Sequence, residues 1–154
     1  MYIRSFKAED SEAVKELIGS VMAKEYPQDQ KAYQYGDLDS IVDAYGKLRE
    51  KFLTANEGSS IIGTAGIKED SKNTALLRRL FVHPSHRGRG VGSMLVDTAL
   101  DFCKMNGYKF VSFRATSNMK AAIELLCQKK GFTEKDKCLF DEGIEILNLI
   151  YKIR

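Results

Sequence analysis

Residues 87–93 of this chain, Arg-Gly-Arg-Gly-Val-Gly-Ser, combine residue types that can hold a phosphate group. They follow an apolar run that ends at Pro84, and from Val91 onward apolar residues recur at helical spacing. The pattern predicts a strand, a glycine-rich loop and the first turn of a helix. The N–H groups of such a turn have no partner within the helix and carry partial positive charge, and glycines let an anion approach them closely. We therefore expect a pyrophosphate to bind here, although a tight turn that uses glycine only for its geometry has the same composition.

The spacing of the glycines excludes two common phosphate-binding motifs. A Walker A loop requires Gly-x-x-x-x-Gly-Lys-Ser/Thr, which is absent from the chain. The dinucleotide fingerprint Gly-x-Gly-x-x-Gly fails because Ser93 stands where the third glycine belongs. The segment from Arg87 to Gly92 resembles instead the Arg/Gln-x-x-Gly-x-Gly/Ala signature of the GNAT superfamily of N-acetyltransferases.

This resemblance implies a site for acetyl-coenzyme A. In the family, the pyrophosphate of the coenzyme is held by backbone N–H groups of the loop, and the strand before the loop parts from its parallel neighbour to bind the pantetheine arm. An Asn that precedes the last helix often touches the pantetheine or adenosine part, although here a simple N-cap is an equal alternative. The cofactor-binding residues implied for this chain are Leu80, Phe81, Val82, Arg87, Gly88, Arg89, Gly90, Val91, Gly92, Ser93 and Asn118.

The groups that would move protons are harder to assign. Many members of the family place a Tyr four residues before a Gly-Phe pair, but counting back from Gly131-Phe132 gives Cys127, and another alignment gives Leu126. Cys127 is thus a weak candidate for a catalytic proton donor, and plain packing is the alternative. The family's Glu base is absent from residues 75–79, so a base would come from Asp37, Asp39, Asp43, Tyr35 or water. We expect direct attack of the amine on the thioester, since no His or Lys next to Cys127 in sequence would activate its thiol.

Composition narrows the class of protein. A chain of 154 residues suits one domain, taken here as a single N-acetyltransferase domain over residues 1–154. The net charge of +3 is small, and its local concentration at Arg78, Arg79, Arg87 and Arg89 suits a polyanionic small ligand as well as nucleic acid. We expect no nucleic-acid partner, because the sequence shows neither interleaved aromatics nor a wider basic face. Three cysteines and the lack of a signal peptide favour the cytoplasm, and no apolar run predicts a membrane span. Two histidines alone do not make a zinc site, so no metal is expected.

Periodicity predicts the order strand, helix, weaker helix, three strands, helix, strand, helix, two strands. The weaker helix is expected over about residues 38–49, with Ile41, Val42, Tyr45 and Leu48 turned inward, and the last helix over residues 119–130. The order is that of an α/β fold with one mixed, mostly antiparallel sheet and helices on both faces. It is also that of the GNAT fold, and the resemblance adds that the fourth and fifth strands splay around the cofactor.

The leading functional hypothesis is acetyl transfer from acetyl-coenzyme A to a primary amine. The amine would belong to a small molecule, a peptide or a protein, and the tyrosines and acids of residues 24–49 suit a small cationic amine or a peptide end. The alternatives are a sensor module of the same fold that binds acyl-coenzyme A without turnover, and nucleic-acid binding, which would need a wider basic face with exposed aromatics. A homodimer is compatible with the resemblance.

Overall fold

The computed structural model describes residues 1–33, 36–141 and 143–154. Tyr35, one of the acceptor-side and base candidates, lies outside these ranges, as does Glu142 of the last predicted turn. The strands are β1 (Tyr2–Ser5), β2 (Lys51–Glu57), β3 (Ser60–Glu69), β4 (Thr74–Val82), β5 (Phe110–Thr116), β6 (Thr133–Asp141) and β7 (Ile144–Lys152). The α-helices are α1 (Ser11–Glu25), α2 (Ile41–Ala44), α3 (Val91–Met105) and α4 (Lys120–Glu124), which continues as a π-helical turn over Leu125–Lys129. Short 3₁₀ turns cover Ala8–Asp10, Pro27–Ala32, Gly36–Ser40 and Pro84–His86.

The strands form one mixed sheet in the order β1-β2-β3-β4-β5-β7-β6. Pairs along β1 to β4 are antiparallel, and so are the pairs of β7 with β5 and β6. Short turns join β2 to β3, β3 to β4 and β6 to β7, as expected for antiparallel neighbours. Among the strands that the structure describes, β4 and β5 alone run parallel, since α3 crosses between them. The fold class and the chain order predicted from periodicity are confirmed.

The parallel pair separates part of the way along. Its register runs from Thr74–Phe110 to Leu77–Phe113 and is not continued by Arg78 and Arg114. Strand β4 stays paired with β3 as far as Val82, although a bulge near Arg79, whose φ is +54°, shifts that register. The main chain of β4 beyond Leu77 therefore faces a gap on its β5 side, as the resemblance implied.

Two helices cover the sheet with their apolar stripes. The inward face of α1 carries Val14, Leu17, Ile18, Val21 and Met22, all buried. Helix α3 buries Val91, Leu95, Val96, Ala99 and Cys103, and leaves the predicted polar residues Asp97, Asp101 and Lys104 exposed. Since both stripes join the same core as the sheet, the loop before α3 is fixed at both of its ends.

The predicted helix over residues 38–49 is wrong in extent. Only Ile41–Ala44 is α-helical, after a 3₁₀ turn, and the side chains of Val42 and Leu48 are 58% and 94% exposed. Ile41 and Tyr45 are buried, as expected. The helix ends because the chain turns sharply at Gly46, where an added Cβ would lie 2.6 Å from the carbonyl oxygen of Val42.

Candidate active site

The loop before α3 presents the first turn of that helix to solvent. Gly88 and Gly90 have φ values of +75° and +82°, a region that other residues enter only at a cost. The first bond of the helix runs from Met94 N to Gly90 O at 3.0 Å, so the three preceding N–H groups point out of the helix end. A Cβ built on Gly88 or Gly90 would meet no atom within 4 Å, so open space lies beside this backbone. The arrangement fits an anion held by main-chain donors.

A groove of about 510 Å³ begins at this loop. One wall is the loop with the end of β4, and the opposite wall is the last helix. The residues that line the groove are Val21, Tyr26, Leu80, Phe81, Val82, His86, Arg87, Gly88, Gly90, Val91, Gly92, Ser93, Met119, Ala121, Ala122, Leu125 and Lys129. We call this the loop groove. Its mostly apolar walls, with main-chain donors at one end, suit a long ligand that carries phosphate at that end.

A second groove, of about 450 Å³, opens where β4 and β5 part. We call it the arginine groove, because three arginine residues belong to its lining. Its lining consists of Ala32, Tyr33, Leu76, Leu77, Arg78, Arg79, Leu80, Phe81, Phe113, Arg114, Thr116, Met119 and Ile146. No Asp or Glu belongs to this lining among the residues that the structure describes.

The two grooves meet. Leu80, Phe81 and Met119 line both of them, at the point where β4 has left β5. A ligand that lies along the loop groove therefore presents its far end to the arginine groove. This is the geometry required to bring two substrates together.

Comparison with known proteins agrees with this geometry. A model of the acetyltransferase (GNAT) family matches residues 17–132, which include most of α1, the gap and the loop. The chain belongs to the GNAT family. The resemblance drawn from the glycine loop is thus confirmed at the family level.

An uncharacterized N-acetyltransferase of Methanocaldococcus jannaschii is 33% identical over 67 residues, which are 44% of this chain and 29% of that protein. In this GNAT relative and five other curated ones, the matched segment spans between 29% and 57% of their length.

Solved GNAT structures show the same fold. An acetyltransferase of the family from Staphylococcus aureus Mu50 superposes with a TM-score of 0.83 at 20% identity, with 99% of each chain covered. A putative acetyltransferase from Salmonella typhimurium, solved with its cofactor acetyl-coenzyme A, gives 0.80 at 20% identity, with 98% of this chain and 92% of that chain covered.

The two arginines of the loop differ in their position relative to the loop groove. Arg87 lines the loop groove, donates from Nε to Val82 O at 3.2 Å, and holds the carboxylate of Glu25 with both terminal nitrogens. Arg89 lies outside the lining and pairs with Glu57, which also contacts His86 Nε2 at 3.1 Å. Hydrogen bonding to these carboxylates raises the pKa of both guanidinium groups, so both stay charged.

Cys127 and Asn118 are placed less favourably for their suggested roles. Neither residue lines a groove, and it is Leu125 of the π-helical turn that faces the loop groove, while Leu126 is buried in the core. Burial raises the pKa of the Cys127 thiol, and the charge of Glu134 adds to this effect. The amide of Asn118 donates to Asp29 Oδ1 at 2.9 Å, and the N-cap of α4 is Met119.

The acids suggested as bases are engaged elsewhere. Asp37 is bound by the Arg79 guanidinium, with Nη2 at 2.5 Å from Oδ1, and it accepts the Tyr45 hydroxyl at 2.7 Å. Burial by itself would raise the pKa of Asp37, but these bonds outweigh it and the pKa is lowered, which makes this carboxylate a poor base. Asp39 pairs with Lys15, and Asp43 accepts from the hydroxyl of Ser40.

Sequence reasoning gave no individual role to Tyr33. Its hydroxyl donates to the sulfur of Met119 at 2.9 Å and accepts the N–H of Thr116 at 3.3 Å. Since Met119 lines both grooves, this hydroxyl lies beside their junction. Burial raises the pKa of Tyr33, so the group keeps its proton at neutral pH. Spacing along the chain carries no signal for this placement, because Tyr33 and Met119 are 86 residues apart.

Two further features concern the described part of the chain alone. Its helices include none that is both long and apolar enough to span a membrane. Its His, Cys, Asp and Glu side chains form no group of three or more that could hold a metal ion.

Proposed function

We propose that this protein transfers the acetyl group of acetyl-coenzyme A to a primary amine by direct attack of the amine on the thioester. The observation that carries the proposal is the junction of the two grooves at Leu80, Phe81 and Met119. One groove begins at a main-chain phosphate cradle, and the other is open to an acceptor. Direct attack requires both substrates to be bound at once, and two grooves that meet permit this.

The residues of the loop groove fit acetyl-coenzyme A as the first substrate. The free N–H groups of Val91, Gly92 and Ser93 are suited to its pyrophosphate, and the space beside Gly88 and Gly90 leaves room for it. The gap beside β4 leaves main-chain groups at Leu80 to Val82 for the pantetheine arm. The related fold from Salmonella typhimurium, solved with acetyl-coenzyme A, supports this choice of ligand.

When bound, acetyl-coenzyme A supplies an activated acetyl thioester, and the protein must then meet three needs. The acceptor amine must lose its proton to have a lone pair, and with the nearby acids engaged we assign that step to water. Main-chain donors of β4 at the gap are placed to stabilise negative charge on the thioester oxygen. The leaving thiolate needs a proton, and we assign Tyr33 as its donor. The nitrogen of the adduct loses a second proton as the amide forms, and water takes up this proton and returns one to Tyr33. The hydroxyl proton of Tyr33 is held only weakly by the thioether sulfur of Met119.

A covalent acetyl-cysteine is not part of this proposal. Cys127 lies outside both grooves and its pKa is raised, so its thiol is poorly placed and weakly ionised. Cys103 is fully buried, and burial raises its pKa to about 12. Cys138 is exposed on β6, the strand at the sheet edge beyond β7.

Steady-state kinetics with both substrates varied test the proposal, using acetyl-coenzyme A and a panel of primary amines. Double-reciprocal plots should intersect for the wild type. Tyr33→Phe should lower kcat by about tenfold to a hundredfold, as expected for loss of a proton donor, with little change in the KM for acetyl-coenzyme A. Cys127→Ala serves as the control and should keep most of the activity.

Parallel lines, or an acetyl group found on a cysteine by mass spectrometry, would contradict direct attack. Binding of coenzyme A without consumption of the thioester for any amine would instead favour the sensor module. A Tyr33→Phe variant with unchanged kcat would remove Tyr33 from the mechanism and leave the acetyl transfer itself intact.

A further inference from the structure

Two arginines follow the last paired residues of β4 and β5, at the gap between these strands. The last registered pair of these strands is Leu77–Phe113, so the next residue on each strand is an arginine, Arg78 and Arg114. Side chains alternate between the two faces along a strand, so the residue after each member of the last registered pair leaves its strand on the same face, and both arginines line the arginine groove. Like charges at neighbouring positions of a sheet are destabilising, so the pair has a cost in the free protein.

The carboxylates around this groove do not cancel that charge. Asp37 is bound in bidentate fashion by Arg79, whose side chain is only 2% exposed, although Arg78 is near enough to help lower its pKa. Asp29, fully buried behind Thr116, accepts two neutral donors, the Thr116 hydroxyl at 2.6 Å and the Asn118 amide. Arg78 and Arg114 enter no ion pair with any residue that the structure describes.

The phosphates of coenzyme A do not account for these two arginines. The cradle for phosphate is at the far end of the loop groove, whose lining includes neither Arg78 nor Arg114. The arginine groove begins at the junction, where the acyl end of the coenzyme would arrive. Its positive charge therefore faces the other substrate.

We propose that the acceptor is an amine that also carries a carboxylate, and that Arg78 and Arg114 bind this carboxylate. The inference rests on the function proposed above. Arg matches a carboxylate in geometry and in charge, and two of them in one groove supply several donors. The sequence suggested a small cationic amine or a peptide end because of the tyrosines and acids of residues 24–49. The acids among them that the structure describes do not line the arginine groove, whose charged lining residues are arginines.

The test compares free L-amino acids with their carboxamides, at equal acetyl-coenzyme A. Wild-type kcat/KM should favour the free acids by about tenfold or more, since charge-assisted hydrogen bonds contribute roughly 1.5–3 kcal/mol. The amide has the less basic amine, so a preference for the acid cannot come from the reactivity of the amine. Arg78→Gln and Arg114→Gln should each raise the KM of the free acids about fivefold to tenfold and leave the KM of the amides unchanged. Lys152→Gln, which removes a charge at the other end of the sheet next to Phe110, is the matched control and should change neither.

The thermal stability of the two Gln variants separates a binding role from a structural one. If the arginines only held the fold together, their loss would lower the unfolding temperature. Because the two arginines repel each other, either Gln variant should unfold at the same temperature as the wild type or slightly above it. A marked loss of stability would overturn the binding role. A second set of substrates consists of peptides with an acidic residue after their N-terminus. Comparing their kcat/KM with that of the free amino acids shows which of the two carboxylate-bearing amines the groove prefers.

Binding of the reaction product separates this inference from the proposed function. N-acetyl-L-amino acids should bind the wild type at least fivefold more tightly than their amides in calorimetry, and both Gln variants should lose this difference. Equal binding of acid and amide would overturn the carboxylate site even if amines are acetylated. A clear preference in binding with no turnover would support the site and contradict the enzyme.

Discussion

Arg87 and Arg89 are two residues apart, but their side chains contact different parts of the fold. Arg87 lines the loop groove and ties α1 to the end of β4 through Glu25 and Val82 O. Arg89 points away and joins Glu57 at the end of β2. A phosphate at the helix end would meet the first of these guanidinium groups and not the second.

Arg87→Ala should therefore weaken coenzyme A binding by about fivefold, a modest loss because the side chain is 40% exposed and already paired. Arg89→Ala should change the affinity by less than about twofold. Calorimetry at two salt concentrations measures both, with pantetheine, which lacks phosphate, as the control ligand. Equal losses for the two variants, or a loss that pantetheine shares, would contradict this assignment.

The four arginines of residues 78–89 show how much the sequence predicts about individual side chains. Arg78, Arg79, Arg87 and Arg89 form one basic stretch along the chain, and a polyanionic ligand was a reasonable inference from it. In the fold, each goes to a different place: one to the arginine groove, one to a buried pair with Asp37, one to the loop groove and one to Glu57. Local spacing cannot separate them, because the bulge at Arg79 and the gap beside β4 are tertiary features.

At the scale of elements, the N-terminus of α3 is the feature that the sequence predicted best. Its glycines, its apolar stripe and its place after a strand agree with one another, and the structure has the helix begin at Val91 as expected. Gly90 takes a φ of +82°, and Gly107, after the same helix, takes +81°. A Cβ on either residue would meet no atom within 4 Å. These two glycines are therefore a matched pair, and they differ in that Gly90 lines the loop groove and Gly107 does not.

Gly90→Ala should weaken coenzyme A binding by about tenfold or more, because the new methyl group enters the space left for the pyrophosphate. Gly107→Ala should leave binding unchanged. Both variants carry the same backbone strain and should lose about 1 kcal/mol of stability. Thermal unfolding and calorimetry on the two proteins measure these effects. If Gly90→Ala binds as tightly as Gly107→Ala, the cradle is not at this loop.

Elements shaped by tertiary contacts were predicted poorly. Ile41 and Tyr45 have helical spacing, but Tyr45 is buried so that its hydroxyl can reach Asp37, and the chain around it is mostly 3₁₀ or irregular. The last helix changes to a π-helical turn at Leu125, which brings Leu125 to the loop groove. Counting back from Gly131-Phe132 gives Cys127 or Leu126 for the position of the family's Tyr, and the residue that lines the loop groove is Leu125. A wider helical turn changes which side chain faces a groove and leaves no trace in the spacing.

For the whole molecule, two carboxylates whose side chains are only 8% and 9% exposed tie outlying segments to the sheet. Asp10, at the start of α1, is bound by Arg4 of β1 at 2.7 Å and by the N–H of Lys7. Asp37 ties the segment before α2 to β4 through Arg79. Hydrogen bonding to Arg4 lowers the pKa of Asp10. The pKa of Asp37 is lowered because its bonds to Arg79 and Tyr45 outweigh the effect of burial.

These two lowered pKa values determine how the free energy of unfolding changes with pH. Since both pKa values are lower in the folded protein, the unfolded chain takes up protons first as the pH falls. The stability from these two groups is therefore complete above the ordinary Asp pKa, about 4, and is lost as the pH falls through the folded values. The free energy of unfolding, measured by urea denaturation from pH 7 to pH 2, should fall steeply below about pH 4.

Substitution should separate the two contributions. Asp37→Asn should cost about 3 kcal/mol at pH 7, because it removes a buried carboxylate from Arg79, and it should flatten the slope below pH 4. Asp10→Asn should act in the same direction and provides a second case if the first variant fails to fold. Asp39→Asn, whose side chain is 77% exposed, is the control and should match the wild type at both ends of the range. A wild-type slope retained in both buried-site variants would mean that other carboxylates hold this fold together in acid.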